Sequence, residues 1–172
     1  MFNVSMLSFE FKKIPWFWYC IALVVVVFDL TTKEIMINYF NDIEGARQNI
    51  MPLFDLTLVY NHGAAFGMFG GKRWPLAILA SVMSVILIVW LYRLPPEKRY
   101  EKIGLALILG GAIGNLYDRL VAGKVTDFLL VYINEELKWP AFNVADVAIC
   151  VGAACLLFEA FKSNKSKPEK NG

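Results

Sequence analysis

Four apolar runs dominate the sequence and limit the folds open to it. They cover approximately residues 14–36, 74–92, 103–118 and 139–158. A membrane-crossing helix needs about 20 mostly apolar residues, and a composition that is 58% hydrophobic and 19% charged is unusual for a soluble domain. Pro95 and Pro96 break the chain between the second and third runs. The pattern predicts an all-α membrane protein of one domain (residues 1–172), a four-transmembrane-helix bundle with loops at 37–73 and 119–138.

The basic residues predict the orientation of these spans. Four spans place both termini on one side, which holds segments 1–16, 93–102 and 159–172 with ten of the chain's 17 Lys and Arg residues. Because cytoplasmic loops are enriched in Lys and Arg, both termini are expected in the cytoplasm. Lys12 and Lys13 precede the first run, but no small-x-small site follows it, so a retained span is expected rather than a cleaved signal peptide. The pI near 8.4 then reflects topology and does not imply nucleic-acid binding.

Three aspartates interrupt or end these apolar segments, and a fourth lies in the loop between two of them. Asp146 lies within the uncharged fourth run, where an ionised carboxylate costs at least a few kcal/mol, so a functional role is the default interpretation. Asp29 and Asp118 end two other runs, and Asp127 follows a turn at Gly123.

Three of these aspartates are expected at one depth in the membrane. Asp29, Asp118 and Asp146 each lie 16 positions from a lysine at the cytoplasmic flank, and those lysines are, respectively, Lys13, Lys102 and Lys162. That spacing corresponds to roughly 24 Å along a helix, in a hydrocarbon core about 30 Å thick. The three carboxyl groups are therefore expected just inside the outer face. A hairpin-like excursion would return Asp127 to the same level, and the apolar segment Phe128–Ile133 is expected to dip into the interface.

Polar side chains accompany two of these aspartates at matching intervals. Asn115 precedes Asp118 by three residues, and Asn143 precedes Asp146 by three, so each pair would share one face of a helix. Arg119 can bind a carboxylate or a carbonyl. Hydrogen bonding between helices explains this spacing as well as a functional site does. Geometry on neighbouring spans alone favours Asp118 as the partner of Asp146.

Other motifs narrow the functional classes. Gly110-x-x-x-Gly114 is typical of close helix packing, and the alternating segment Asp55–Tyr60 predicts a strand in the first loop. The three cysteines lie in apolar runs without a C-x-x-C motif, which predicts buried packing and argues against a thiol oxidoreductase. His62 is the only histidine, so the sequence contains no zinc motif.

With these residues assembled, the chain resembles bacterial lipoprotein signal peptidase (signal peptidase II) along nearly its whole length. The matching motifs are, in chain order, Asp29-x-x-x-Lys33, Asn61-His-Gly-Ala-Ala-Phe-Gly67, Gly-Gly-Ala-Ile-Gly-Asn-Leu-Tyr-Asp-Arg119, Val-Thr-Asp-Phe128 and Phe-Asn-Val-Ala-Asp146. Leu30 stands where the family usually has Gln.

The resemblance implies a four-helix membrane bundle with a small extracytoplasmic β-sheet. It implies an aspartic endopeptidase of the bacterial inner membrane that cuts prolipoproteins just before a diacylglyceryl-modified cysteine, with Asp127 and Asp146 as the catalytic pair. The positions that match substrate contacts or support for the site are Asn61, Gly63, Asn115, Arg119, Asn143, Asp29, Lys33 and Asp118. The expected partners are the lipid-modified substrate and membrane lipids, with no metal or cofactor, and the enzyme is expected to act as a monomer.

Two alternatives stay open at this point. A small carrier or assembly subunit could hold structural acids, although the chain has no internal repeat and no pair of half-helices. An intramembrane aspartyl protease that cuts within transmembrane helices would need no lipid on its substrate.

Overall fold

A computed structural model describes residues 16–63 and 73–165 of the chain. The elements follow one another as α1 (Trp16–Tyr39), β1 (Arg47–Met51), β2 (Phe54–Asn61), α2 (Arg73–Arg93), α3 (Arg99–Val121), β3 (Val125–Val131) and α4 (Val144–Lys165). The predicted start of the first span at residue 14 and the loop-motif residues 64–67 lie outside the described residues.

Three helices in the described part are long and apolar enough to cross a membrane: Trp74–Arg93, Arg99–Val121 and Val144–Lys162. Helix α1 has 24 residues, which corresponds to a length of about 36 Å. Its membrane crossing, and with it the count of four spans, stays a prediction. Cys20 and Cys150 are exposed, so the prediction of buried packing was wrong for them. An apolar run does not reveal which face of its helix points outward.

Helix α3 packs against the other three helices, and its glycines permit the close approach of α1. A Cβ atom on Gly110 would lie 2.7 Å from the carbonyl oxygen of Ala22. One turn later, a Cβ on Gly114 would lie 2.5 Å from Oδ2 of Asp29. The predicted packing role of Gly110-x-x-x-Gly114 is confirmed, and its second glycine makes room for a carboxylate.

The three strands form one antiparallel sheet in the order β1-β2-β3. The predicted strand Asp55–Tyr60 is confirmed as β2. After α3, the chain turns back at Gly123, which has a φ of +76° and donates its N–H to the carbonyl of Asp118. Phe128 then lies in β3, paired with β2. Its apolar neighbours up to Val131 belong to the same strand, so their backbone groups bond to β2. The expectation that Phe128–Ile133 dips into the membrane interface stays a prediction.

Helix α4 begins later than the apolar run that contains it. The run starts at Trp139, whereas the helix starts at Val144, and Asn143 caps it. The Asn143 Oδ1 atom accepts the Asp146 N–H at 3.0 Å, and Asp146 Oδ2 accepts the Asn143 N–H at 3.2 Å. This reciprocal pair is a capping box. The expectation that Asn143 and Asp146 share a helix face is therefore corrected: Asn143 lies just before the helix.

Candidate active site

Asp127 lies in β3, opposite Val59 of β2. Because alternate residues of a strand share a face, Asn61 lies diagonally across from Asp127, and its Nδ2 donates to Asp127 Oδ2 at 3.2 Å. Asn143 Nδ2 donates to the other oxygen, Oδ1, at 2.7 Å. Asp127 is only 3% exposed, so a neighbouring strand and a helix cap hold its buried carboxyl group in place.

Asp146 is held from two sides in the first turn of α4. Asn115 of α3 donates from Nδ2 to Asp146 Oδ1 at 2.8 Å, and the capping box holds Oδ2. Asn143 Nδ2 also donates to Asn115 Oδ1 at 3.0 Å. Asn143 therefore bonds to both aspartates, to Asp127 through its side chain and to Asp146 through the capping box.

Lys33 organises the remaining acids beside these two. Its Nζ lies 2.7 Å from Asp29 Oδ2 and 3.0 Å from Asp118 Oδ2, and it donates to Asn115 Oδ1 at 3.1 Å. Asp29 also accepts the N–H of Ala145 at 2.9 Å. Because the Lys33 ammonium and the Asn143 amide both donate to Asn115 Oδ1, the NH₂ group of Asn115 must point to Asp146.

A cavity of about 470 Å³ opens beside this network, and both Asp127 and Asp146 line it. Its polar wall includes Arg119, which donates to the carbonyl oxygen of Asn115 at 3.0 Å, and Gly63, which donates to Asn61 Oδ1 at 3.0 Å. The remaining lining is mostly apolar and comes from Val125, Trp139, Pro140, Ala141, Phe142, Val147, Cys150 and Val151.

The surroundings of Asp127 distinguish it from an ordinary surface acid. Burial, followed by the nearby charge of Asp146, raises the pKa of Asp127 from 3.8 to about 7. Asp127 therefore holds a proton for much of the time near neutral pH. A protonated carboxyl beside a second carboxylate, both open to one cavity, is an arrangement suited to general acid–base chemistry.

All ten residues predicted from the sequence belong to this one network of hydrogen bonds and ion pairs. Sequence reasoning missed two backbone contributions. The Thr126 N–H donates to Asp118 Oδ2 at 3.1 Å, and the Ala145 N–H donates to Asp29. It also missed the cavity wall at residues 139–142, whose one signal was a proline in an apolar stretch just ahead of the helix cap.

Comparison with known proteins identifies the family of this chain. The family model described as Signal peptidase (SPase) II matches residues 21–162. Lipoprotein signal peptidase of Teredinibacter turnerae is 45% identical over 152 residues, 86% of this chain and 89% of that protein. The Pseudomonas putida protein of the same name is 46% identical over 165 residues, 92% of this chain and 93% of its own length.

A solved structure described as a bacterial membrane enzyme shares the fold. It superposes with a TM-score of 0.79 at 27% identity and covers 92% of this chain and 95% of that one. The span matched by the family model includes every member of the network around Asp127 and Asp146. The chain therefore belongs to the signal peptidase II family of membrane aspartic peptidases.

Proposed function

We propose that this chain removes the signal peptide from diacylglyceryl-modified prolipoproteins, cutting just before the lipidated cysteine with water activated by Asp127 and Asp146. The observation that carries the proposal is that these two carboxyl groups line one cavity, whereas Asp29 and Asp118 are both held by Lys33. Of these four acids, the first pair is the one that lines this cavity.

The reaction needs one proton between the two carboxyl groups. With its raised pKa of about 7, Asp127 is the favoured carrier. Asp146 accepts a proton from water as the water oxygen attacks the scissile carbonyl, and Asp127 donates its proton to the carbonyl oxygen. In the second step the tetrahedral intermediate collapses. Asp146 then protonates the leaving amine, and Asp127 takes a proton back from the intermediate's hydroxyl group, which restores the starting state.

The surroundings of the cavity suit a substrate anchored by acyl chains. Val147 and Val151 line it on α4 and are 42% and 48% exposed, so an apolar face leads from the dyad along a helix long enough to cross a membrane. In the proposed orientation α1 also crosses the inner membrane, both termini are cytoplasmic, and the sheet lies outside. The lipid stays in the bilayer while the peptide bond reaches the dyad.

Asparagine substitutions test the dyad. Asp127→Asn and Asp146→Asn keep the size and acceptor oxygen of each side chain but remove its proton transfer, so cleavage of a lipidated precursor peptide should fall by about 1000-fold or more. The matched control is Asp42→Asn. Asp42 has a φ of +59°, which Asn tolerates well, and Asn retains an acceptor for the hydroxyl of Tyr60.

The control variant should cleave at the wild-type rate. Near-normal cleavage by either dyad variant would overturn the assignment. An unlipidated version of the same peptide separates the proposal from an intramembrane protease, because efficient cleavage without the lipid would favour the latter.

A further inference from the structure

The apolar wall of the cavity is the returning arm of a hairpin. After β3, the chain turns at residues 134–137 and comes back beside β3, with bridges between Tyr132 and Lys138 and between Leu129 and Phe142. The Trp139 N–H donates to the carbonyl of Val131 at 2.9 Å, and the Phe142 N–H donates to that of Leu129 at 3.0 Å. We call residues 138–142 the return segment; it supplies four of the cavity-lining residues.

A single arginine ties the tip of this hairpin to the far side of the sheet. Arg47 of β1 donates from Nη1 and Nη2 to the two carboxylate oxygens of Glu135, both at 3.0 Å. Its Nε bonds to Asp55 of β2, and its guanidinium lies 4.7 Å from the ring centre of Tyr132. We call Arg47, Asp55, Tyr132 and Glu135 the Arg47 clamp.

The clamp has the features that make a surface ion pair effective. A bidentate arginine–carboxylate pair within a network fixes geometry, unlike an isolated pair between flexible chains. Lys138 of the return segment adds a second cation 2.6 Å from Glu135 Oε2. Hydrogen bonds from Arg47 lower the pKa of Glu135 to about 2, so the clamp stays charged throughout the pH range of an assay.

The return segment has few packing contacts of its own near its tip. Pro140 has no N–H to add to the backbone bonds with β3, and Trp139 is 66% exposed, so little packing covers this part of the wall. Helix α4 follows immediately, and its cap Asn143 bonds to both aspartates. Asn143 thus fixes the end of the return segment that lies nearest Asp127 and Asp146. The other end is held through the turn at residues 134–137, where Glu135 bonds to Arg47.

We propose that Arg47 and Glu135 are positioning residues. They hold the return segment in place so that the cavity wall at Trp139 can bind substrate. The inference rests on the proposed peptidase function. The clamp acts on binding rather than on chemistry, because neither residue contacts Asp127 or Asp146.

The test uses Glu135→Gln in the full-length enzyme in detergent micelles, with a lipidated precursor peptide as substrate. Removing Arg47 would leave Asp55, which is 1% exposed, without its cation, and would damage the sheet. Glu135 has a side chain that is 70% exposed, so its loss releases the hairpin alone. We expect KM to rise about threefold to tenfold while kcat stays within about twofold of wild type, the split expected when binding is lost without chemistry.

Glu136→Gln is the matched control, since it makes the same change at the next residue of the same turn. Raising the ionic strength from about 0.1 M to about 1 M shortens the Debye length from about 10 Å to about 3 Å. It should therefore raise the KM of wild type and Glu136→Gln toward that of Glu135→Gln. Hydrogen exchange at the Trp139 amide should be faster in Glu135→Gln alone.

The inference is overturned if Glu135→Gln matches Glu136→Gln in both KM and amide exchange, or if kcat falls while KM does not change. These outcomes differ from failure of the proposed function, in which the wild-type enzyme does not cleave the peptide. The exchange measurement needs no substrate, so it tests the clamp in either case.

Discussion

Four aspartates meet at one end of the bundle, yet they form two pairs with different surroundings. Asp29 and Asp118 are buried against Lys33, at 2.7 Å and 3.0 Å from its ammonium. Asp127 and Asp146 instead receive amide hydrogen bonds and line the cavity. The two pairs therefore differ in their nearest cation and in their access to the cavity, although all four residues are aspartates.

Lys33 and Asp118 also contact the groups that hold Asp146 and Asp127 in place. Lys33 donates to Asn115 Oδ1, which turns the amide's NH₂ group toward Asp146. Asp118 accepts the N–H of Thr126, the residue before Asp127 in β3. Lys33 therefore orients the Asn115 amide that bonds to Asp146, and Asp118 bonds to the backbone next to Asp127.

We expect the largest effect from removal of Lys33, the cation that distinguishes the two pairs of aspartates. Lys33→Met would leave Asp29, which is fully buried, and Asp118 without a counter-charge, and breaking a buried pair in this way costs about 3–5 kcal/mol. The midpoint of thermal unfolding in detergent should fall by roughly 6–20 °C. The double variant Lys33→Met/Asp29→Asn should recover at least about half of this loss. An unchanged midpoint for Lys33→Met would contradict the supporting role.

The pH dependence of cleavage tests the pair that lines the cavity, through the raised pKa of Asp127. In the proposed mechanism Asp127 donates a proton, and its pKa is raised to about 7. We therefore expect kcat/KM to fall about tenfold per pH unit above about pH 7. A rate that stays constant from about pH 7 to about pH 9 would argue against Asp127 as the acid.

The same shift predicts a stability effect of known sign. The folded pKa of Asp127, about 7, lies above its ordinary value of 3.8, so the folded state binds more protons than the unfolded state. The contribution of Asp127 to stability is therefore fully present below about pH 4 and is lost as pH rises through about 7. The unfolding midpoint of Asp127→Asn relative to wild type should be higher at about pH 8 than at about pH 5.

The smallest effect is expected from the acid that geometry on neighbouring spans had favoured as the partner of Asp146. Asp118→Asn keeps an acceptor oxygen for the Thr126 N–H, and Lys33 remains paired with Asp29. The free energy of unfolding should therefore fall by no more than the contribution of one hydrogen bond, about 1 kcal/mol. We expect kcat/KM to fall less than about tenfold. A fall in kcat/KM as large as that of Asp146→Asn would instead assign a catalytic role to Asp118.

Much of the fold was predictable because apolar runs and glycine spacing report directly on helices and their packing. The strand β2 was found from its alternation, and Gly110 and Gly114 from their interval. Strand β3 was not found, because Phe128 and its apolar neighbours resemble an interfacial segment until their pairing with β2 is seen. The cap at Asn143 was missed for a similar reason, since a spacing of three fits both a helix face and a capping box.

The sequence by itself determined the membrane character of the chain and, through its motifs, the ten polar and glycine residues of the network. Only the tertiary structure decided which of them share a cavity, because burial and hydrogen-bond partners depend on elements far apart in the chain. Asp118 and Asp127 are nine positions apart, yet one contacts Lys33 from α1 and the other lines the cavity with Asp146 from α4. That separation follows from the turn at Gly123, which sends the chain from the end of α3 back into the sheet.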